Sequence, residues 1–179
     1  CLDGNDFQFN SSSSVSNNTP MSHNWYFGDN DSSINTTFTQ HSYANDGVYV
    51  VRMISSTNIG ACKDTVEKSF SVFPMPQASF TIDNDRQCFL GHGFNFNSTS
   101  TVSSGTVNQT NWNFGDNTTS ALPSPFKTYN KVDSFRVKLE VSTNNGCIDS
   151  ISRKVYIFPM PVASFTVNPA SSCLIGNSF

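Results

Sequence analysis

Five cysteines offer the first chemistry in this 179-residue chain: Cys1, Cys62, Cys88, Cys147 and Cys173. They fall at only two kinds of site. Cys1, Cys88 and Cys173 each open a short segment that ends in Phe, whereas Cys62 and Cys147 each follow a Gly-containing turn. Thiols placed so regularly read as disulfides, which persist in oxidising, extracellular settings. Carboxylates offer a second chemistry. Asp29, Asn30, Asp31 and Asp46, then Asp116 and Asn117, present hard oxygen ligands of the kind calcium takes. No D-x-D-x-D-G run accompanies them, and Asp and Asn are also ordinary turn formers, so a solvated turn is the preferred reading. Asp29, Asp31 and Asp116 stand as the calcium candidates, and no other cofactor is expected. Three His and few carboxylates supply neither a Ser/His/Asp set nor a clustered His/Cys spacing, so the segment reads as non-enzymatic.

Charge and composition narrow the partners. Ten Lys and Arg against 13 Asp and Glu leave a net charge of −3 with no basic run, hence no footprint for nucleic acid. No apolar stretch approaches the ~20 residues of a spanning helix, and no signal peptide opens the sequence. Sixteen Phe and a modest net charge separate the chain from disordered sequences, which are poor in aromatics.

The elements that must position these groups come from an internal repeat. Cys1-Leu2-Asp3-Gly4-Asn5-Asp6-Phe7 returns as Cys88-Phe89-Leu90-Gly91-His92-Gly93-Phe94 and again as Cys173-Leu174-Ile175-Gly176-Asn177-Ser178-Phe179. Trp25-Tyr26-Phe27-Gly28-Asp29-Asn30 returns as Trp112-Asn113-Phe114-Gly115-Asp116-Asn117, and Phe73-Pro74-Met75-Pro76 as Phe158-Pro159-Met160-Pro161. The spacing is 87 residues in the front of the unit and 85 in the rear, so small length changes fall in loops. One unit is about 85 residues. Residues 1–76 form a unit without its opening strand, 77–161 a whole unit, and 162–179 the start of a third; the chain reads as a window on a longer array.

Within a unit every periodic stretch is of strand type. Phe94-Asn95-Phe96-Asn97 and Phe135-Arg136-Val137-Lys138-Leu139-Glu140-Val141 alternate apolar and polar, as does Tyr49 to Ile54. Asn144-Asn145-Gly146 predicts a hairpin turn, and Ile151 to Phe158 the strand after it. Six or seven short strands per unit, without a 3.6-residue period, predict an all-β architecture of tandem immunoglobulin-like β-sandwiches in an extended array. The Pro-Met-Pro segments are stiff linkers.

The motifs Trp112-Asn-Phe-Gly-Asp-Asn, Lys127-Thr128-Tyr129 and Phe135-Arg-Val-Lys-Leu, with Trp25-Tyr-Phe-Gly-Asp-Asn, His41-Ser-Tyr43 and Gly47-Val-Tyr-Val-Val in the first unit, resemble the PKD (polycystic kidney disease) domain family. Asn30 and Asn117 replace that family's second Gly, Lys127 its His and Asp133 a further Gly. The resemblance implies a seven-stranded sandwich used on cell surfaces and in secreted proteins. Trp25, Phe27, Trp112 and Phe114 are then core residues. Tyr43 and Tyr129 anchor a corner through a hydroxyl bonded to backbone.

In that topology the first loop and the last hairpin lie at opposite ends of the sandwich. A seven-residue strand separates them by ~23 Å, whereas bridged Cα atoms lie within ~7 Å. Cys1 with Cys147, a staple between neighbouring units, is therefore the lead pairing, with Cys62, Cys88 and Cys173 left for further units. Pairing inside a unit, Cys1 with Cys62 and Cys88 with Cys147, stays open if the first strands are irregular.

Thr65 and Ser150, each behind an Asp and just after a second-site Cys, resemble the Asp-Ser/Thr-apolar acceptor of Bacteroidota O-glycosylation; otherwise they are polar strand starts. Cys-bearing, Asn/Thr-rich tandem repeats of this kind resemble those of giant Bacteroidota surface proteins, including SprB-type gliding adhesins exported by the type IX secretion system. The expected function is a structural stalk on the cell surface, with neighbouring repeats, surface polysaccharide or other fibre subunits as partners. The alternative is a spacer or polysaccharide- or protein-binding module of a secreted hydrolase.

Overall fold

The computed structural model describes residues 1–16, 19–58 and 62–167. Cys173 and the rest of the 168–179 segment lie outside them. The first unit contains β1 (Phe7–Asn10), β2 (Met21–Tyr26), β3 (Ser32–Ser33), β4 (Phe38–His41), β5 (Gly47–Thr57) and β6 (Lys63–Val72). The second contains β7 (Phe80–Ile82), β8 (Arg86–Cys88), β9 (Phe94–Ser98), β10 (Val107–Asn113), β11 (Thr119–Ser120), β12 (Phe126–Lys127), β13 (Ser134–Thr143) and β14 (Ile148–Phe158). No helix occurs among the described residues, and so none is long and apolar enough to cross a membrane.

Each unit is a sandwich. In the second, the sheet β12-β9-β7 faces β11-β10-β13-β14-β8; in the first, β1-β4 faces β3-β2-β5-β6. The alternation in β13 is what builds the interior: Phe135, Val137, Leu139 and Val141 point in and are buried, while Arg136 and Lys138 point out. They meet Phe80, Phe94, Phe96, Trp112 and Phe114 in one core. Trp25, Phe27, Tyr43, Val51, Met53 and Val72 make the corresponding core of the first unit. Each such side chain contributes ~1.5–3 kcal/mol by leaving water.

The second unit has one strand more than the seven the resemblance implied, because its opening strand changes sheets. β7 pairs with β9, and β8 runs parallel to β14 on the opposite sheet. The break falls at Asp83-Asn84-Asp85. Asp83 Oδ1 accepts the Asn84 N–H and Asn84 Oδ1 accepts the Arg86 N–H, so side chains take over the ladder's bonds and turn the chain. The last hairpin is tighter than expected, and β14 starts at Ile148 rather than Ile151. Gly146, at φ 80°, donates its N–H to the Thr143 carbonyl, and the Thr143 N–H reaches Cys147 O at 2.9 Å, so pairing begins at once with Ile148 opposite Ser142. Register aligns His23 with Thr110, since Trp25 faces Met53 as Trp112 faces Leu139.

Trp112 is wholly buried and its indole N–H bonds to Leu122 O at 2.9 Å. Trp112→Ala therefore loses ring burial and leaves a cavity, at a cost of about 3–5 kcal/mol. Thermal melting of the chain checks this; an unchanged melting transition of the second unit would contradict it.

Candidate functional site

Three places gather polar chemistry: the turn after the Trp strand, the corner before the long strand, and the joint between units. The turn comes first. Gly28 and Gly115 have φ of 86° and 78°, and a Cβ on either would stand 2.8 or 2.7 Å from the carbonyl oxygen of Val50 or Arg136. Two residues on, Asn30 and Asn117 also have positive φ, 75° and 68°, which Asn tolerates better than most residues. That is how Asn stands in for the glycine expected there.

This turn aims Asp29 at the end of β4 and Asp116 at the end of β12. His41 Nε2 donates to Asp29 Oδ2 at 2.7 Å, with its ring stacked 4.1 Å from Phe27. At the same place in the second unit, Lys127 Nζ lies 2.6 Å from Asp116 Oδ2 and sits over the Phe114 and Tyr129 rings. His and Lys are thus two solutions to one task, an N–H donor held between a carboxylate and an aromatic face. Burial works to raise both carboxyls, but it is outweighed, at Asp29 by the hydrogen bonds from His41 and the Asp31 N–H, and at Asp116 by those from Lys127 and Thr118; both end below the ordinary 3.8. The calcium candidates are engaged by protein donors and do not converge. Asp31 Oδ2 is 3.7 Å from His41 Nδ1 and its Oδ1 accepts the Ser32 N–H. Among the described residues no group of three or more His, Cys, Asp or Glu is placed to hold a metal.

At the corner, the buried Tyr43 and Tyr129 hydroxyls donate to Phe27 O and Phe114 O, each at 2.9 Å. Burial, with the nearby Asp29 and Tyr49 charges, pushes Tyr43 up to about 12; burial, with Asp116, pushes Tyr129 higher still. Asn5 and His92 complete this corner, and the sequence reading overlooked them. Asn5 Oδ1 accepts the Tyr43 N–H at 2.7 Å while its amide donates to Leu2 O. His92 Nε2 accepts the Tyr129 N–H at 2.8 Å, so its Nδ1 carries the proton given to Phe89 O at 2.6 Å. The signal was their shared place in the Cys-to-Phe motif.

The joint is where the two units meet. Cys1 is disulfide-bonded to Cys147, with Cα atoms 5.4 Å apart. Leu2 N–H donates to Phe73 O at 2.8 Å, and Pro74 and Pro76 are buried. Beside it, within the second unit, Asp149 Oδ2 accepts the Ala78 N–H at 2.8 Å, just ahead of that unit's opening strand. Cys62 and Cys88 are exposed. Pairing inside a unit is ruled out by length: β14 begins just after Cys147 and ends paired with Cys88, about 33 Å away. Thr65 and Ser150 are exposed on β6 and β14, and each receives its preceding Asp Oδ1 at its own N–H.

A sequence model of the PKD domain matches residues 2–72 and 74–158, once over each unit. No curated protein sequence matches the chain. Among solved structures, the chain is similar to the PKD1 domain of the Vibrio cholerae metalloprotease PrtV, at 25% identity and TM-score 0.42, over 49% of this chain and 99% of that one. It is similar to the PKD1 domain of Vibrio anguillarum Epp at 21% identity and TM-score 0.43, over 48% and 96%. A third similar structure, described by the promiscuous specificity of carbohydrate-binding modules of the β-sandwich superfamily, has 25% identity and TM-score 0.45, over 48% of this chain and 35% of that one.

Two outcomes follow from the pairing of these carboxylates with His41 and Lys127. Lys127→His is tolerated, because His41 already fills that role, whereas Lys127→Ala costs about 1.5–3 kcal/mol by stripping a charged hydrogen bond; chemical denaturation compares them. Because the folded carboxyls lie below 3.8, their stabilisation is complete above that value and is lost as pH falls through the lowered folded values. Asp116→Asn flattens the acid limb of a melting-temperature profile below about pH 4.

Proposed function

The chain belongs to the PKD domain family, and from that premise we propose that its two units are load-bearing, non-catalytic links of an extracellular stalk that holds a surface adhesin away from the cell. The observation that carries this reading is the Cys1–Cys147 bond, which spans the joint at a sequence separation of 146. A pull between the chain ends enters at Cys1, crosses the disulfide to Cys147 and leaves through β14. The first unit and seven of the second unit's strands then lie outside the covalent path of the load. In the chain-entropy picture so long a closure also stabilises the folded chain by about 4–5 kcal/mol.

The proposed division is 1–76, 77–161 and 162–179, with Cys88 at the place of Cys1 and Cys62 at the place of Cys147, so that one staple recurs at every joint. Export by the type IX system, a role in gliding and a Bacteroidota source belong to this proposal. So do surface polysaccharide or fibre subunits as partners and glycans on Thr65 and Ser150. PKD domains are typically extracellular, and a disulfide across the joint fits an oxidising setting.

Single-molecule stretching between the termini tests the load path. With the bond intact, unravelling is limited to the segment from Cys147 to Phe179; after reduction the released chain is roughly five times longer at ~3.6 Å per residue. Equal contour lengths in both states would sink the proposal.

A further inference from the structure

The outer face of the sheet β12-β9-β7 presents an aromatic ring that the core does not use. Phe126 stands opposite Asn95, and both point away from the buried Phe94 and Phe96. The ring lies against Gly93, where a Cβ would come within 2.5 Å of Cζ, yet Phe126 is 64% exposed. It is thus backed by main chain and open to solvent. Register puts Asp6 and Gln40 at these two places in the first unit, joined by a hydrogen bond of 3.4 Å, so the glycine and the ring change together between units. Around Phe126 the outward positions form two rows across the sheet: Asn95 and Asp83 beside the ring, then Ser124, Asn97 and Thr81. Asn95 Nδ2 donates to Asp83 Oδ2 at 2.7 Å, and Ser124 Oγ donates to Asn97 Oδ1 at 2.6 Å. These bonds fix the side chains and leave Asn95 Oδ1 as an acceptor and Asn97 Nδ2 as a donor. The Asn95 amide above all holds the Asp83 carboxyl below its ordinary value, so Asp83 is also an acceptor at neutral pH.

The first unit carries the same combination one row along. Phe38, 48% exposed, points outward opposite Asn10, with Gln8 and Gln40 in the neighbouring row. This face stays open where units meet. The second unit is joined to the end of the first by the disulfide, and Asp6, Phe38 and Gln40 remain exposed there. We propose that this outer face is a platform for a neutral polysaccharide, with one aromatic ring per unit, Phe126 and Phe38, stacked on a sugar ring.

The chemistry of the face selects that ligand. A sugar offers C–H groups on its two faces and hydroxyls around its rim. The negative face of an aromatic ring attracts the former, and amides that each keep one donor or acceptor suit the latter. Charge narrows the class further. The outward positions named here hold carboxylates but no Lys or Arg, so acidic glycans, nucleic acid and anionic lipid head groups are repelled. The inference rests on the reading of polysaccharide as a partner of the chain and gives that partner a place. It is independent of the load path, because stretching reads the disulfide and sugar binding reads the two rings.

Affinity electrophoresis of the full chain tests it, in native gels that contain hydroxyethylcellulose, xylan, galactomannan or glycol chitin, with dextran sulfate as the anionic control. The expected result is retardation by at least one neutral polymer and none by dextran sulfate. Phe126→Gln and Phe38→Ser each install the residue that the other unit carries at that place, Gln40 and Ser124, so the melting transitions stay where they are. Binding by the double variant falls about 10-fold. Asn97→Ala, which keeps both rings, also weakens it. No retardation by any neutral polymer, stronger retardation by dextran sulfate, or equal retardation of the double variant would overturn the proposal.

Discussion

The length of a strand is the constraint on which the rest of this structure depends. Each unit places its two cysteine sites at opposite ends of its last strand, β6 or β14, and a strand of ten or eleven residues keeps them more than 30 Å apart. A disulfide needs Cα atoms within ~7 Å. The bond therefore closes between units, and the covalent staple lands on the joint rather than in a sandwich interior. In the proposed stalk, that staple sets which part of the backbone carries tension.

Because the molecule contains the same unit twice, it works as its own set of substitutions. Where an N–H donor must sit between the turn carboxylate and an aromatic ring, His41 and Lys127 take the same place, since each brings an N–H to the equivalent oxygen. Where the corner Tyr needs its N–H accepted and a carbonyl three residues before the helper needs a donor, Asn5 and His92 both qualify, each with one acceptor and one donor about the same distance from the backbone. These positions vary in identity and not in hydrogen-bond role. The Trp, the turn Gly and the corner Tyr do not vary, because ring volume, a backbone approach of under 3 Å and a hydroxyl reaching a buried carbonyl admit no substitute.

The turn carboxylates show how the same residues fit two readings. Asp29, Asp31 and Asp116 supply the hard oxygens that calcium takes, and in the folded chain the long side chains of His41 and Lys127 reach them. Asp149 was legible only as half of a possible glycan acceptor beside Ser150, while its carboxylate spans the sandwich edge to a strand 71 residues away. Nothing within a few residues of Asp149 encodes that partner.

By itself the sequence determined the all-β class, the 85-residue unit, the core Trp and Phe positions and the tight turns. Each of these rests on a period of two, a repeated spacing or a single residue's backbone freedom, all of which are local properties. Tertiary structure alone decided the splitting of the opening strand between sheets, the His41 and Lys127 contacts, and the roles of Asn5, His92 and Asp149. These depend on which strands come to lie side by side after folding, and side-by-side placement joins residues whose separation in the chain carries no mark of their meeting.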